Sequence, residues 1–197
     1  MKRLFFCCAI LLGVMNSCAT KPKEKCKAIT ITSSSTFITQ DFKIKGFNGL
    51  QIDISGKVEY TQGNHYSVSI TAPSAVFDAM EVSNKNGILH IKEKSGIRIQ
   101  NIKDSKKATI RITSPQLDII NLCGVNSFHA TSMKGTDTKF TLSGVVNIKI
   151  DKIKASKFTL INSGVSRGSV NIDATNEEIH HNTGNLFACY PPYQSAK

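Results

Sequence analysis

The feature that most constrains this chain is a tight turn that returns on a fixed period. Residues 121–125 read NLCGV, 141–145 read TLSGV and 161–165 read INSGV, so Gly124, Gly144 and Gly164 follow one another at 20-residue intervals. Laying 121–140 over 141–160 matches Leu122 with Leu142, Cys123 with Ser143 and Val125 with Val145. Phe128 falls on Ile148, Ala130 on Ile150, Met133 on Ile153 and Phe140 on Leu160, so apolar residues meet apolar residues. A third copy starts at Ser163-Gly164-Val165 and is read as carrying extra residues around Ser166–Ser169 before Val170-Asn171-Ile172. Short strands and glycine corners on this period describe the coils of a β-solenoid. One coil cannot bury its inner side chains alone, whereas coils stacked ~4.8 Å apart pair their backbones and align like residues in columns. On this reading Gly124, Gly144 and Gly164 mark one corner, where glycine reaches positive φ without penalty. Ser143, Ser163 and Cys123 then share the small-residue slot before it. The competing architecture is a β-sandwich whose strand spacing happens to be regular.

The rest of the chain agrees with an all-β class. From Asp41 onward apolar and polar residues alternate, most clearly in Ala108-Thr109-Ile110-Arg111-Ile112-Thr113, the pattern of half-buried strands. Turn chemistry separates the runs at Gln62-Gly63-Asn64, Asn84–Gly87, Ser95-Gly96 and Ser114-Pro115, and Asn86-Gly87 is a hairpin signal. No window shows a 3.6-residue period; Ser74–Val82, after Pro73, supplies one helical turn at most. The expected architecture is N-terminal antiparallel or meandering strands leading into a β-helix-like stack. A single domain spans 41–190, with repeat coils over about 117–175. Residues 176–197 do not repeat and read as a shortened repeat region or as a cap over an otherwise open strand edge.

The N-terminus carries an address. Lys2 and Arg3 precede an apolar run from Leu4 to Val14, too short to cross ~30 Å of hydrocarbon as a helix, so residues 1–17 read as a signal peptide. Met15-Asn16-Ser17-Cys18 resembles a bacterial lipobox, in which the cysteine becomes the acylated first residue; the alternative is an ordinary signal with an incidental Cys18. Two or more acyl chains on Cys18 anchor a protein without any spanning helix. Residues 18–40, basic and then Ser/Thr-rich, read as a flexible tether with a short strand near Ile29–Ile31. Loss of Lys2 and Arg3 lowers 25 basic residues to 23 against 14 acidic ones, a net charge of +9. That excess attracts anionic partners. For an exported chain nucleic acid is excluded, and a merely solvated surface is the simpler reading. Of six cysteines, Cys7 and Cys8 leave with the signal and Cys18 carries lipid. Cys26, Cys123 and Cys189 do not make a disulfide framework; a Cys123–Cys189 bridge stays open.

Candidate chemistry is sparse. Glu177, Glu178, His180 and His181 are the one dense group of ligating side chains, but their spacing fits no standard metal pattern, so neither metal nor cofactor is expected. His65, His90 and His129 read as structural or surface groups. Glycoside hydrolysis needs two facing carboxylates, yet the stacking pairs Asp137 with Lys157 and Asp151 with Asn171 or Thr131. No nucleophile elbow or P-loop occurs, so no catalytic residue is expected, and a polysaccharide-acting β-helix enzyme is the third-ranked reading. What remains is a surface: Thr131, Ser132, Lys134, Thr136, Thr138, Lys149, Lys152, Lys154 and Lys157 are expected to cover the outside of the stack.

The order of motifs carries a resemblance. Phe42-Lys43-Ile44 leads to Gly46-Phe47-Asn48-Gly49-Leu50, then to Gly56-Lys57-Val58-Glu59-Tyr60-Thr61-Gln62-Gly63 and Val68-Ser69-Ile70. Asn86–Ile91, Ala108–Thr113, Ser114-Pro115 and the Ser-Gly turns follow in order. Over roughly 41–175 the chain resembles the head GIN domain, a family described as putative auto-transporter adhesins and often found as bacterial lipoproteins. The resemblance implies a strand-rich N-terminal part, a helix-like stack of strands, and exposure on or beneath a Gram-negative outer membrane. It implies no reaction and no catalytic residues. Two departures stand out: valine, not a small residue, follows each repeat glycine, and fewer coils are present. The expected function is a non-catalytic, lipid-anchored adhesin or interaction module meeting a glycan or another envelope protein. A periplasm-facing structural module without adhesive role is the runner-up.

Overall fold

Alternation becomes strand wherever the chain can bury one face. The computed structural model describes residues 27–30, 36–100, 107–181 and 187–190. Strands β1 (Lys27–Thr30), β2 (Phe37–Phe42), β3 (Gly49–Ile52), β4 (Gly56–Gln62) and β5 (Ser67–Pro73) precede helix α1 (Ser74–Ala79). Then come β6 (Met80–Lys85), β7 (Ile88–Glu93), β8 (Ile97–Gln100), β9 (Ala108–Ser114) and β10 (Ile119–Leu122). The repeats supply β11 (Val125–Ala130), β12 (Met133–Leu142), β13 (Val145–Asn162) and β14 (Val165–His181), and β15 (Phe187–Tyr190) follows. The class is all-β with one short helix. At six residues that helix exceeds the single turn expected, because Val76 and Ala79 are buried on one side of it.

Thirteen of these strands form one sheet that curls into a nearly closed, barrel-like wall; β1 and β8 pair separately, in parallel. The wall turns at β13, whose first part, Val145–Ile150, pairs with β11, while Ile153–Asn162 pairs with β12. Strands β12, β13 and β14 continue the parallel ladders at the repeat period: Val125 lies beside Val145 and Val145 beside Val165, Phe128 beside Ile148, and Phe140 beside Leu160. The pairing of Asn176–His181 with Lys157–Asn162 carries the backbone ladder beyond the point where the side-chain repeat fades. The third copy holds no insertion at Ser166–Ser169. Ser166, Gly168 and Val170 sit beside Val146, Ile148 and Ile150, and the register slips only afterwards, where Ile172 meets Ile153, one residue early. Gly168 stands where its neighbours have Ile148 and Phe128; its φ of 140° and the overlap a Cβ would make with the Ile148 carbonyl account for glycine there.

The N-terminal half does more than lead into the repeats. β3 pairs in parallel with β10 on one side and β7 on the other, and β4 likewise lies between β11 and β9. An early pair of strands thus occupies a middle layer between two later ones. Antiparallel strands β2 and β5 extend beyond β9, and β6 beyond β7. The β6–β7 hairpin turns at Asn86 (φ 54°) and Gly87 (φ 79°), both left-handed as the Asn-Gly signal requires. β2 starts at Phe37, before the expected domain start at Asp41, because Phe37–Phe42 pairs with Val68–Pro73. Most of the expected 18–40 tether, with Cys18, lies outside the described residues.

The inner residues of each layer converge on one core. Leu50, Ile120, Phe140 and Leu160 form one interior file, and Val58, Phe128 and Ile148 another. Aromatic rings run through it: Tyr60 stacks on Phe128 at 6.5 Å, Phe128 meets Phe140 edge-on at 5.6 Å, and Phe140 meets Phe158 at 5.9 Å. Burying each such side chain contributes about 1.5–3 kcal/mol, so the columns supply the cohesion that a single layer lacks.

The repeat glycines do form one file, but for a different reason than expected. Gly124 alone of the three is left-handed, at φ 97°; Gly144 and Gly164 lie outside that region. A Cβ on Gly144 would overlap the carbonyl of Gly124, and one on Gly164 would overlap that of Gly144. Close approach of successive layers at the corner therefore demands glycine at the two later positions. It permits the hydrogen bonds from Val145 N–H to Gly124 O (2.8 Å) and from Val165 N–H to Gly144 O (2.9 Å).

Candidate functional site

The corner slot before the glycines holds the residues the repeat placed there. Cys123, Ser143 and Ser163 are exposed one above another, and their N–H groups donate to Ile52 O, Leu122 O and Leu142 O at 2.8, 3.0 and 2.9 Å. The Ser163 hydroxyl adds a 3.3 Å bond to Leu142 O. Cys123 is a free thiol in a position whose neighbours are serines. The slot is structural, built to satisfy backbone groups where the chain turns.

Immediately past the corner the sheet exposes apolar surface. Counting back in twos from buried Phe128 and Ala130 puts Asn126 inside and Val125 outside; the same count makes Val146 and Ser166 inner, Val145 and Val165 outer. Val125, Val145 and Val165 are 42%, 51% and 58% exposed, a rising file across neighbouring parallel strands. Inner Asn126 gives its amide to Cys123 O at 2.7 Å, and Ser166 donates to Asn162 Oδ1 at 2.9 Å, so polar groups are buried while valines face solvent. This inversion was readable in the sequence from the phase of Phe128 and Ala130, but the family resemblance had marked the valines only as departures.

The lower valines line a shallow groove of about 480 Å³ with Lys57, Lys107, Thr109, Ser127, Asn147 and Arg167. Five of these stand in one row across the strands: Thr109 beside Lys57, Lys57 beside Ser127, Ser127 beside Asn147, and Asn147 beside Arg167. The lining contains no carboxylate, imidazole or thiol. Next to it Glu59 receives Lys57 Nζ at 2.6 Å and Arg111 Nε at 2.9 Å. The Lys57 hydrogen bond, aided by the charges of Lys57 and Arg111 and opposed by partial burial, holds the Glu59 carboxyl below the usual carboxylate range. Lys57, Arg111 and Arg167 against Glu59 leave this face with two net positive charges, before Lys107 is counted.

The other expected surface residues divide. Thr131, Ser132, Lys134, Thr136, Lys149, Lys152 and Lys154 are exposed and Lys157 is partly so. Thr138 is buried, not external: β12 brings it inward at a corner where its hydroxyl finds no protein partner. Asp137 lies beside Lys157, and Asp151 sits 3.7 Å from Lys149 and 3.9 Å from His129 Nε2, so neither faces a second acid. Glu177 and Glu178 are exposed neighbours on β14, with Glu178 paired to Lys157 at 3.1 Å. Among the described residues no group of three His, Cys, Asp or Glu side chains could hold a metal ion, and no helix is long and apolar enough to cross a membrane.

Residues 46–185 match the family model described as "Putative auto-transporter adhesin, head GIN domain". No curated protein matches the sequence. Among solved structures, a putative adhesin from Bacteroides fragilis is 17% identical, covers 82% of this chain and 97% of its own, and superposes with a TM-score of 0.53. A putative adhesin from Parabacteroides merdae is 16% identical over 82% of this chain and 78% of its own, at TM-score 0.56. A putative lipid binding protein from Parabacteroides distasonis is 21% identical over 83% of this chain and 65% of its own, at TM-score 0.61. At such identities these likenesses concern the fold.

Proposed function

Because this chain belongs to the head GIN domain family, we propose that it is a non-catalytic, adhesin-like interaction module of the cell envelope whose contact surface is the valine face. One observation carries this: three valines at the same repeat phase are turned outward, while Asn126, Val146 and Ser166 are buried behind them, so that in two of the three repeats a polar residue is inside and the valine outside. A soluble β-protein places valine inward by default, and exposed apolar surface in register marks contact. The non-catalytic part rests on a groove lined by amides, hydroxyls, valines and cations, with no group suited to acid–base or nucleophilic work. The architecture that serves this role is, in our reading, a β-helix-like stack of 20-residue coils, supported by the parallel ladders of β10 to β14.

The module is exported and held by lipid on Cys18 in the outer membrane; the lipobox-like Met15-Asn16-Ser17-Cys18 supports this. The test is adherence. Purified protein and a Val125→Ser/Val145→Ser/Val165→Ser variant are compared for retention on immobilised envelope fractions and whole cells, with circular dichroism to establish equal folding. Retention that falls with the valines supports the proposal; equal retention, or none for either protein, refutes it. Protease added to intact cells tests orientation, since failure to reach residues 41–190 favours the periplasm-facing structural module. Cys18→Ala should yield an unprocessed or soluble product, and unmodified Cys18 in the mature protein overturns the anchor.

A further inference from the structure

Resting on the interaction-module reading, we propose that the groove beside the valine file binds an acidic saccharide chain laid along the axis of the stack. Three properties of the groove point to this ligand chemistry. The first is its period. Along the row Lys57, Ser127, Asn147 and Arg167 each layer advances by one ladder step of ~4.8 Å, close to the advance of one sugar residue in an extended chain. A saccharide lying across the strands therefore meets an equivalent backbone setting at each unit. The second is the mixture of side chains. Val125 and Val145 form an apolar strip for the C–H faces of sugar rings, while Ser127, Asn147 and Thr109 beside it offer hydroxyl and amide groups to ring hydroxyls. An acyl chain would leave that polar row unmatched.

The third property is charge. Lys57 and Arg167 stand three ladder steps apart, ~14 Å, which is the separation of acidic groups at the two ends of a four-residue unit. Arg167 supplies a planar fork suited to a carboxylate or sulfate, and the face keeps a net positive charge with Glu59 counted. No carboxylate lines the groove to repel an anion. Lys57 is shared with Glu59, so an incoming carboxylate can bind there while Arg111 continues to neutralise Glu59.

The test is calorimetric titration of the purified protein with tetragalacturonate, with maltotetraose as neutral control and phosphatidylglycerol vesicles as a third probe. Tetragalacturonate is expected to bind, to weaken with added salt, and to lose about ten-fold in affinity in Arg167→Gln, the loss of one charge-assisted contact. Val145→Ser should weaken it as well, and maltotetraose should bind more weakly than tetragalacturonate. Absence of tetragalacturonate binding, equal binding of the neutral sugar, indifference to Arg167→Gln, or vesicles that bind and displace the saccharide would each overturn the proposal. The two readings fail separately. If cell retention depends on the valines but no acidic sugar binds, the interaction module stands and the saccharide falls; if retention is also indifferent to the valines, both fall.

Discussion

Exchanging the repeat glycines for alanine one at a time separates two explanations of why they recur. At Gly124 the added methyl has room, since its nearest neighbours would be the Asn126 amide and the Ile54 carbonyl group at 3.7 Å. The cost there is conformational: an L-residue held at φ 97° loses about 1–2 kcal/mol. At Gly144 no such penalty applies, but the methyl overlaps the Gly124 carbonyl, which is backbone and cannot rotate aside. The layers must part at the corner, at an overpacking cost of ~1–3 kcal/mol. The 2.8 Å bond from Val145 N–H to Gly124 O stretches or breaks, adding ~0.5–1.5 kcal/mol. Gly144→Ala is thus expected to cost about 2–4 kcal/mol and to exceed Gly124→Ala by ~1–2 kcal/mol, a separation of roughly 2–8 °C in Tm for a chain of this size. Urea unfolding followed by circular dichroism measures both. Equal losses, or a larger loss at Gly124, would show that the corner is governed by positive φ after all.

Three further outcomes follow from the packing and the charges. Phe140→Ala removes the central ring between Phe128 and Phe158 and should cost about 3–5 kcal/mol, a large part of the ~5–15 kcal/mol stability of a domain; an unfolding loss under ~1 kcal/mol would contradict a close-packed interior. Thr138→Val replaces a buried hydroxyl that has no protein partner and should raise stability by about 1 kcal/mol, with a loss in the same denaturation assay counting against the assignment. The lowered pKa of Glu59 means its contribution to stability is complete above the carboxyl's unfolded value and vanishes as pH falls through the folded one. Carboxyl NMR titration should find that value raised in Lys57→Met more than in Arg111→Met, and the reverse order would displace the Lys57 hydrogen bond as its main cause.

Where the sequence was legible, a side chain had one energetic reason to be where it is. The period of Phe128, Ile148, Phe140 and Leu160 was visible because burial alone fixes those positions, and their observed pairing is the one the repeat implies. Asn86-Gly87 was legible because only one common turn suits both residues. The glycine corner was located but misexplained, because a short-range property, φ, and a long-range one, the approach of another layer, both select glycine. The slip after Val170 was misplaced into Ser166–Ser169, since Gly168 breaks the apolar pattern while keeping the register. Pairing between residues 70 positions apart, as of β3 with β10, leaves no local trace at all. The valine face was concealed for the opposite reason: valine in a strand fits the core by default, and only the phase of its neighbours shows that it points out.

The placement of β3 and β4 between strands made later sets the order in which the molecule can assemble. A chain emerging N-terminus first must carry residues 49–62 with neither long edge matched until Ile88 and Ala108 arrive on one flank and Ile119 and Asn126 on the other. Growth by adding parallel strands one after another is therefore open only to β12, β13 and β14; the beginning must wait for its middle. Such long loops slow the search for the native arrangement. They also leave the edges of β3 and β4 unpaired until the later strands are made.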